Sequence, residues 1–179
     1  MNEEYFLLAV LDDASQRRLN EISDELTCQG FQYTKDTPYH ITLWNGEKPN
    51  EKLISHFERI CGKTAPIDTA LCSIGLFGLT VLFLSPLPCT PLTKLEEDIC
   101  GYVNNNLVGW VPHCTMRMGS EDNIASAVPV LAKCFAPFPV RIERLELYGC
   151  GENYARFERS FPLLGNESDL TICRSRPAI

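Results

Sequence analysis

Two of the three histidines in this 179-residue chain stand two positions before a threonine, with apolar neighbours: His40-Ile41-Thr42-Leu43 and His113-Cys114-Thr115-Met116. In an extended strand residues i and i+2 share a face, so each copy presents an imidazole beside a hydroxyl while Ile41 and Leu43, or Cys114 and Met116, turn to a core. Two such strands facing one another make a chemical site. An imidazole of pKa ~6.5 exists in both protonation states near neutrality, so one histidine can take a proton from water or a hydroxyl while the other protonates a departing oxygen. Displacement at a phosphodiester can use that pair. The threonine hydroxyls can donate to the non-bridging phosphate oxygens and hold the phosphorus between base and acid. Each proton transfer typically contributes ~10²–10⁴-fold, and the scheme calls on neither a metal nor a cofactor.

A lone strand histidine is ordinarily a satisfied structural residue, and repetition of the whole motif argues against that here. Intact imidazole and hydroxyl in both copies also weigh against a module that only binds or senses a nucleotide or RNA end, because binding needs donors but no proton-transfer pair. A third reading is RNA 2′-5′ end-joining, the reverse of opening a cyclic phosphate. The separation of the copies, positions 40 and 113, points to a duplicated half rather than a local metal-binding cluster.

Tyr5 to Leu11 reads as a buried strand; Asp12 or Asp13 then caps a helix carrying Leu19, Ile22 and Leu26, which Gly30 closes. Phe31 to Tyr33 starts a second strand, and Thr37-Pro38 turns the chain into the first motif. Asn50 caps the next helix, with Leu53, Ile54, Phe57 and Ile60 on one face, Gly62 past its end and His56 on the solvated flank. Ile67–Leu76 and Leu79–Ser85 make a hairpin, its Gly75 and Gly78 serving a bulge or turn rather than a phosphate loop. Thr90-Pro91 opens a helix that Asn104-Asn105-Asn106 stops, and a helix from Ser120 or Asp122 to Phe135 is open to breakage at Pro129. Val140–Tyr148 and Arg156–Leu164 form a last hairpin.

Helices alternating with hairpins give an α+β class, and the spaced motifs give two similar lobes, each a mostly antiparallel sheet with helices outside, around a cleft. No linker divides them, so residues 1–165 are one bilobal domain and 166–179 a polar tail. The net charge of −7 excludes a general phosphate-tracking binder of long nucleic acid and leaves a small nucleotide or an RNA terminus as partner. Nine cysteines without a CxxC pair fit reduced thiols in a cytoplasmic chain, expected to be a monomer with no membrane span.

The paired motifs, with the opening strand and helix and the closing Arg156-Phe157-Glu158-Arg159-Ser160-Phe161-Pro162-Leu163, resemble the two-histidine phosphoesterase superfamily, also called RNA ligase or cyclic phosphodiesterase-like. The resemblance covers roughly residues 5 to 165, and only the motifs are specific. It implies metal-independent cleavage of 2′,3′-cyclic phosphates, related cyclic phosphates or 2′-5′ linkages, with His40 and His113 as the acid/base pair and Thr42 and Thr115 on the phosphate. Cys114 is smaller than the usual aliphatic residue. A basic residue often follows the second motif in that family, which makes Arg117 a candidate substrate contact, although its side chain is expected to turn from the cleft. Tyr148, with Tyr33 and Tyr154, is a candidate to meet a base, whereas Tyr39 and Trp44 are expected to pack.

Overall fold

A computed structural model of the chain describes residues 3–33, 36–101 and 109–166. The order of elements is one five-element unit written twice. The first is β1 (Glu4–Leu11), α1 (Asp13–Cys28), β2 (His40–Gly46), α2 (Glu51–Cys61) and β3 (Ile67–Phe77). The second is β4 (Val81–Pro86), α3 (Thr90–Cys100), β5 (Cys114–Met118), α4 (Glu121–Cys134) and β6 (Phe138–Gly151), after which β7 (Tyr154–Pro162) is added. In each unit the middle strand carries the motif.

The strands form one antiparallel sheet in the order β2-β1-β6-β3-β4-β5, with β7 also paired to β6. Read from either end, the order is motif strand, first strand of the same unit, last strand of the other unit. The units have exchanged their final strands, so the two lobes share a continuous sheet. The 14-residue β6 is the shared element: Phe138 to Ile142 pair with β3, Ile142 to Cys150 pair with β1, and Arg144 to Gly151 pair with β7.

Local chemistry sets the helices. Asp12 accepts from the Ser15 amide at 3.1 Å and Asn50 from the Leu53 amide at 3.0 Å, each satisfying an orphan donor of a first turn. Leu19, Ile22 and Leu26 of α1, and Leu92, Leu95 and Ile99 of α3, join the strand residues Leu7, Ala9, Ile41, Leu43, Leu82 and Leu84 in the main core. Each such large apolar side chain, fully buried, is worth about 1.5–3 kcal/mol. A second, smaller cluster of Leu8, Val10 and Tyr148 lies on the opposite face of the sheet.

Three sequence expectations change. Phe31–Tyr33 is not a strand: Gly30, at φ 94°, ends α1 with the Phe31 amide donating to Leu26 O at 3.1 Å and the Gly30 amide to Thr27 O at 2.9 Å. The capping pattern takes the hydrogen bonds that a strand would need. Pro129 does not break α4, which runs on to Cys134; Pro129 and Ala125 are both exposed, so the carbonyl that loses its partner meets water. His56 is buried rather than solvated, because α3 covers the flank of α2: its Nε2 donates to Asp98 O at 2.9 Å and its Nδ1 accepts from Arg59 at 3.0 Å. The Asn104–Asn106 stop and the tail from residue 167 onward lie outside the described residues. Among the described residues no helix is long and apolar enough to cross a membrane.

Candidate active site

The motif strands β2 and β5 are the two ends of the sheet order, yet they touch. An end strand presents unpaired carbonyls, and the second unit satisfies those of β2. The Trp110 indole N–H donates to Thr42 O at 3.0 Å, and the Cys100 thiol to Leu43 O at 3.3 Å. The sheet therefore bends until its ends meet, fastened at the residue that carries one motif hydroxyl. Ile41, Leu43, Cys114 and Met116 are fully buried in the core, which leaves His40, Thr42 and Thr115 half-buried on the other face.

Both imidazoles are held the same way. His40 Nδ1 lies 2.7 Å from Pro38 O and His113 Nδ1 lies 2.7 Å from Val111 O, each the carbonyl two residues earlier. A ring nitrogen facing a carbonyl must be the donor, so the proton sits on Nδ1 and Nε2 is the nitrogen left to accept or deliver one. The surroundings of the rings differ. His113 meets Phe77 edge-on at 4.7 Å and Phe83 at 5.2 Å. Phe83 lies across Gly75, where an added Cβ would come within 2.2 Å of its ring. Gly75 thus serves close packing, not a bulge, while Gly78, at φ 55°, makes the turn.

Strand register maps the face around His40, since directly paired residues project to the same side. One row runs His40, Val10, Arg144; the next Thr42, Leu8, Glu146, Ser160; a third Asn45, Phe6, Tyr148, Phe157. Arg144 Nε donates to Glu146 Oε1 at 2.7 Å, and the Tyr148 hydroxyl donates to Glu146 Oε2 at 3.0 Å. Burial, together with the charge of Glu146, pushes the Tyr148 hydroxyl up to about 12. Among the described residues no group of three or more His, Cys, Asp or Glu side chains is placed to hold a metal ion.

The model of the 2′-5′ RNA ligase superfamily matches residues 11–152, a span that contains both motifs. The chain belongs to that superfamily. Its members are the two-histidine phosphoesterases, so the resemblance read from the motifs holds. Comparison with curated protein sequences finds no match. Among solved structures the chain is similar to TT0787 of Thermus thermophilus, with 17% identity and a TM-score of 0.62, covering 90% of this chain and 98% of that one. It is similar to E. coli LigT complexed with ATP (12% identity, TM-score 0.65, 91% and 99% covered) and complexed with 3′-AMP (15%, 0.63, 90% and 97%). Identities this low show the fold alone.

Within this superfamily scaffold the structure separates the sequence candidates. Tyr148 stands on the His40 face. Tyr39 and Trp44 are buried packing residues, as expected; Tyr154 bonds to Glu3, and the Tyr33 ring lies 6.0 Å from the Arg117 guanidinium. Arg117 is withdrawn from Thr115. It does turn from the cleft, as expected, but by a bulge and not by strand alternation, which over the four residues from His113 would keep it on the same face. Thr115 pairs with Phe83 and Arg117 with the adjacent Leu82, so the chain bulges at Met116 and turns Arg117 to the core side. There, 2% exposed, it donates to Phe31 O at 2.9 Å, Ser23 Oγ at 3.0 Å, Thr27 Oγ1 at 3.1 Å, Met116 O and Ser23 O. Its charge lies against the carbonyl end of α1, where a cation is favoured. A role as substrate contact does not fit a guanidinium so engaged. Sequence reasoning missed Gly75, Phe77, Phe83, Trp110, Arg144 and Glu146. Only the last two left a signal, the polar-apolar alternation Arg144-Leu145-Glu146-Leu147 on a strand of the last hairpin.

Proposed function

We propose that the protein is a metal-independent phosphodiesterase that opens a 2′,3′-cyclic phosphate, or a related cyclic phosphate or 2′-5′ linkage, of a nucleotide or RNA end. The matched tethering of His40 and His113 through Nδ1, on end strands brought into contact, carries this reading. One Nε2 takes a proton from water as its oxygen attacks phosphorus. The P–O bond to the ribose oxygen breaks, and the other Nε2–H protonates that oxygen. The product is a phosphomonoester, and proton exchange with solvent resets the pair. Thr42 and Thr115 hydroxyls donate to the non-bridging oxygens as charge builds on them. Which histidine is the base follows from the side on which the leaving oxygen lies.

E. coli LigT complexed with 3′-AMP and with phosphate supports a nucleotide-sized substrate for this fold. The eight free cysteines among the described residues support a reducing, cytoplasmic setting. We read the working unit as a monomer acting on small nucleotides or RNA termini. The test is an assay of purified protein in EDTA on 2′,3′-cyclic nucleotides and 2′-5′ dinucleotides, with His40→Ala and His113→Ala alongside, across pH 5 to 9. A bell-shaped kcat/KM that either substitution lowers by ~10²–10⁴-fold is expected. Tight nucleotide binding without turnover, unchanged by both substitutions, would make the protein a sensor instead.

A further inference from the structure

The two motifs supply hydroxyls and imidazoles but no cation, since Arg117 is committed to α1. A phosphorane carries more negative charge than the diester it comes from, so a fixed positive charge on this face would be worth most in the transition state. Among the described residues one arginine stands on it. Val10 pairs with His40 on one side and with Arg144 on the other. With neighbouring strands ~4.8 Å apart, the His40 and Arg144 backbones stand roughly 10 Å apart with their side chains rising on the same side of the sheet. Two long polar side chains rising from positions that far apart can converge on one phosphate group, each reaching one of its oxygens. Between them lies Val10, aliphatic and fully covered by its neighbours, so a charge held over this part of the face is weakly screened.

We propose that Arg144 is the arginine that binds the substrate phosphate, and that Glu146 is its positioning residue. The inference rests on the phosphoester reading of the histidine pair. Among the described residues Arg144 bonds to Glu146 through Nε, and its half-exposed side chain leaves both terminal amino groups to donate in the forked geometry that suits phosphate oxygens. Glu146 is 8% exposed, and each of its oxygens has a donor, Arg144 on one and Tyr148 on the other. A carboxylate buried on a sheet face is costly unless so satisfied. Here it fixes the direction of the guanidinium.

The experiment pairs turnover of a 2′,3′-cyclic nucleotide with calorimetric binding of inorganic phosphate and of a 3′-nucleoside monophosphate, for Arg144→Gln, Arg144→Lys and Glu146→Gln, with thermal melts of each. Arg144→Gln should lower kcat/KM by ~10²-fold and abolish measurable phosphate binding. Arg144→Lys, which keeps the charge and loses the fork, should fall between and carries the test if Arg144→Gln does not fold. Glu146→Gln should weaken phosphate and raise KM about tenfold at an unchanged melting temperature, a split that a purely structural role does not produce. Wild-type kcat/KM and phosphate affinity in a folded Arg144 variant would overturn the proposal. Phosphate binding is read without turnover, so it decides the role of Arg144 even for a protein that cleaves no cyclic phosphate; failure of the catalytic reading shows separately, as histidine variants that behave like wild type.

Discussion

The two repeats hold their histidines by the same tether and surround them with different materials. His40 and His113 each donate from Nδ1 to the carbonyl two residues back, but His40 stands beside an aliphatic floor and a charged strand, and His113 is propped by Phe77 and Phe83 over Gly75. The common part is the one that proton transfer depends on, the identity of the ring nitrogen that faces the substrate. The divergent part is packing, where any arrangement that fixes the ring serves. The lobe around His40 carries polar groups, on the strand β6 that the second unit lends it, and the lobe around His113 carries aromatic rings, one of them from the borrowed strand β3. In the proposed enzyme, substrate recognition would belong to the lobe around His40 and rigidity to the lobe around His113.

That contrast can be broken from the aromatic side first. Phe83→Ala empties a site that is 4% exposed, and a loss of ~3–5 kcal/mol in denaturant unfolding is expected, with turnover in the surviving folded fraction impaired through His113. A variant as stable as wild type would mean that the ring props nothing. Gly75→Ala tests the same contact more gently. The new methyl must push the Phe83 ring away, at about 1–3 kcal/mol, and kcat should fall while nucleotide affinity, which the proposal gives to the lobe around His40, holds. Trp110→Phe removes the indole donor that fastens the end strands, for ~0.5–1.5 kcal/mol, and should lower kcat more than it raises KM. Equal changes in both would place Trp110 in binding rather than alignment.

The smallest effect belongs to the polar face around His40. Tyr148 holds its proton up to about 12, above the ordinary 10.0, mainly through burial and then through Glu146. A raised acid binds its proton more tightly folded than unfolded, so the stabilisation is full below pH 10 and lost as pH climbs toward 12. Alkaline melts should therefore fall over that window, and Tyr148→Phe should flatten the fall. An identical alkaline slope in the variant would assign the loss to other groups, Tyr33 and Tyr39 among them, whose burial also raises them.

The motif strands were legible because a two-residue period fixes which side chains share a face, whatever the strand pairs with. So were the caps at Asp12 and Asn50 and the buried stripe of α1, all settled by neighbours within one helical turn. Features set by distant chain were not. His56 is buried by α3, a helix well beyond its own, and nothing in its own heptad announces that. Arg117 is turned by a bulge that exists only against β4, and its five acceptors lie largely in α1, far earlier in the chain. Alternation in Arg144-Leu145-Glu146-Leu147 was visible, but its meaning required knowing that β6 lies beside β1 and not in a lobe of its own.

The exchange of last strands between the repeats has a consequence for how the molecule is made. As the chain leaves the ribosome, β1 and β2 are complete early, but the inner edge of β1 stays open until its partner arrives; Glu4 pairs with Cys150. Closing so long a loop is entropically slow, and topologies dominated by such contacts fold slowly. Neither repeat encloses its own sheet, so a fragment ending after β3 should not fold alone, whereas two fragments cut in the Gly78 turn should fold on mixing. Insertion of β6 sets Arg144 beside the row of His40 in the same event that joins the second repeat to the first. If the proposed function holds, catalytic competence and completion of the sheet arrive together.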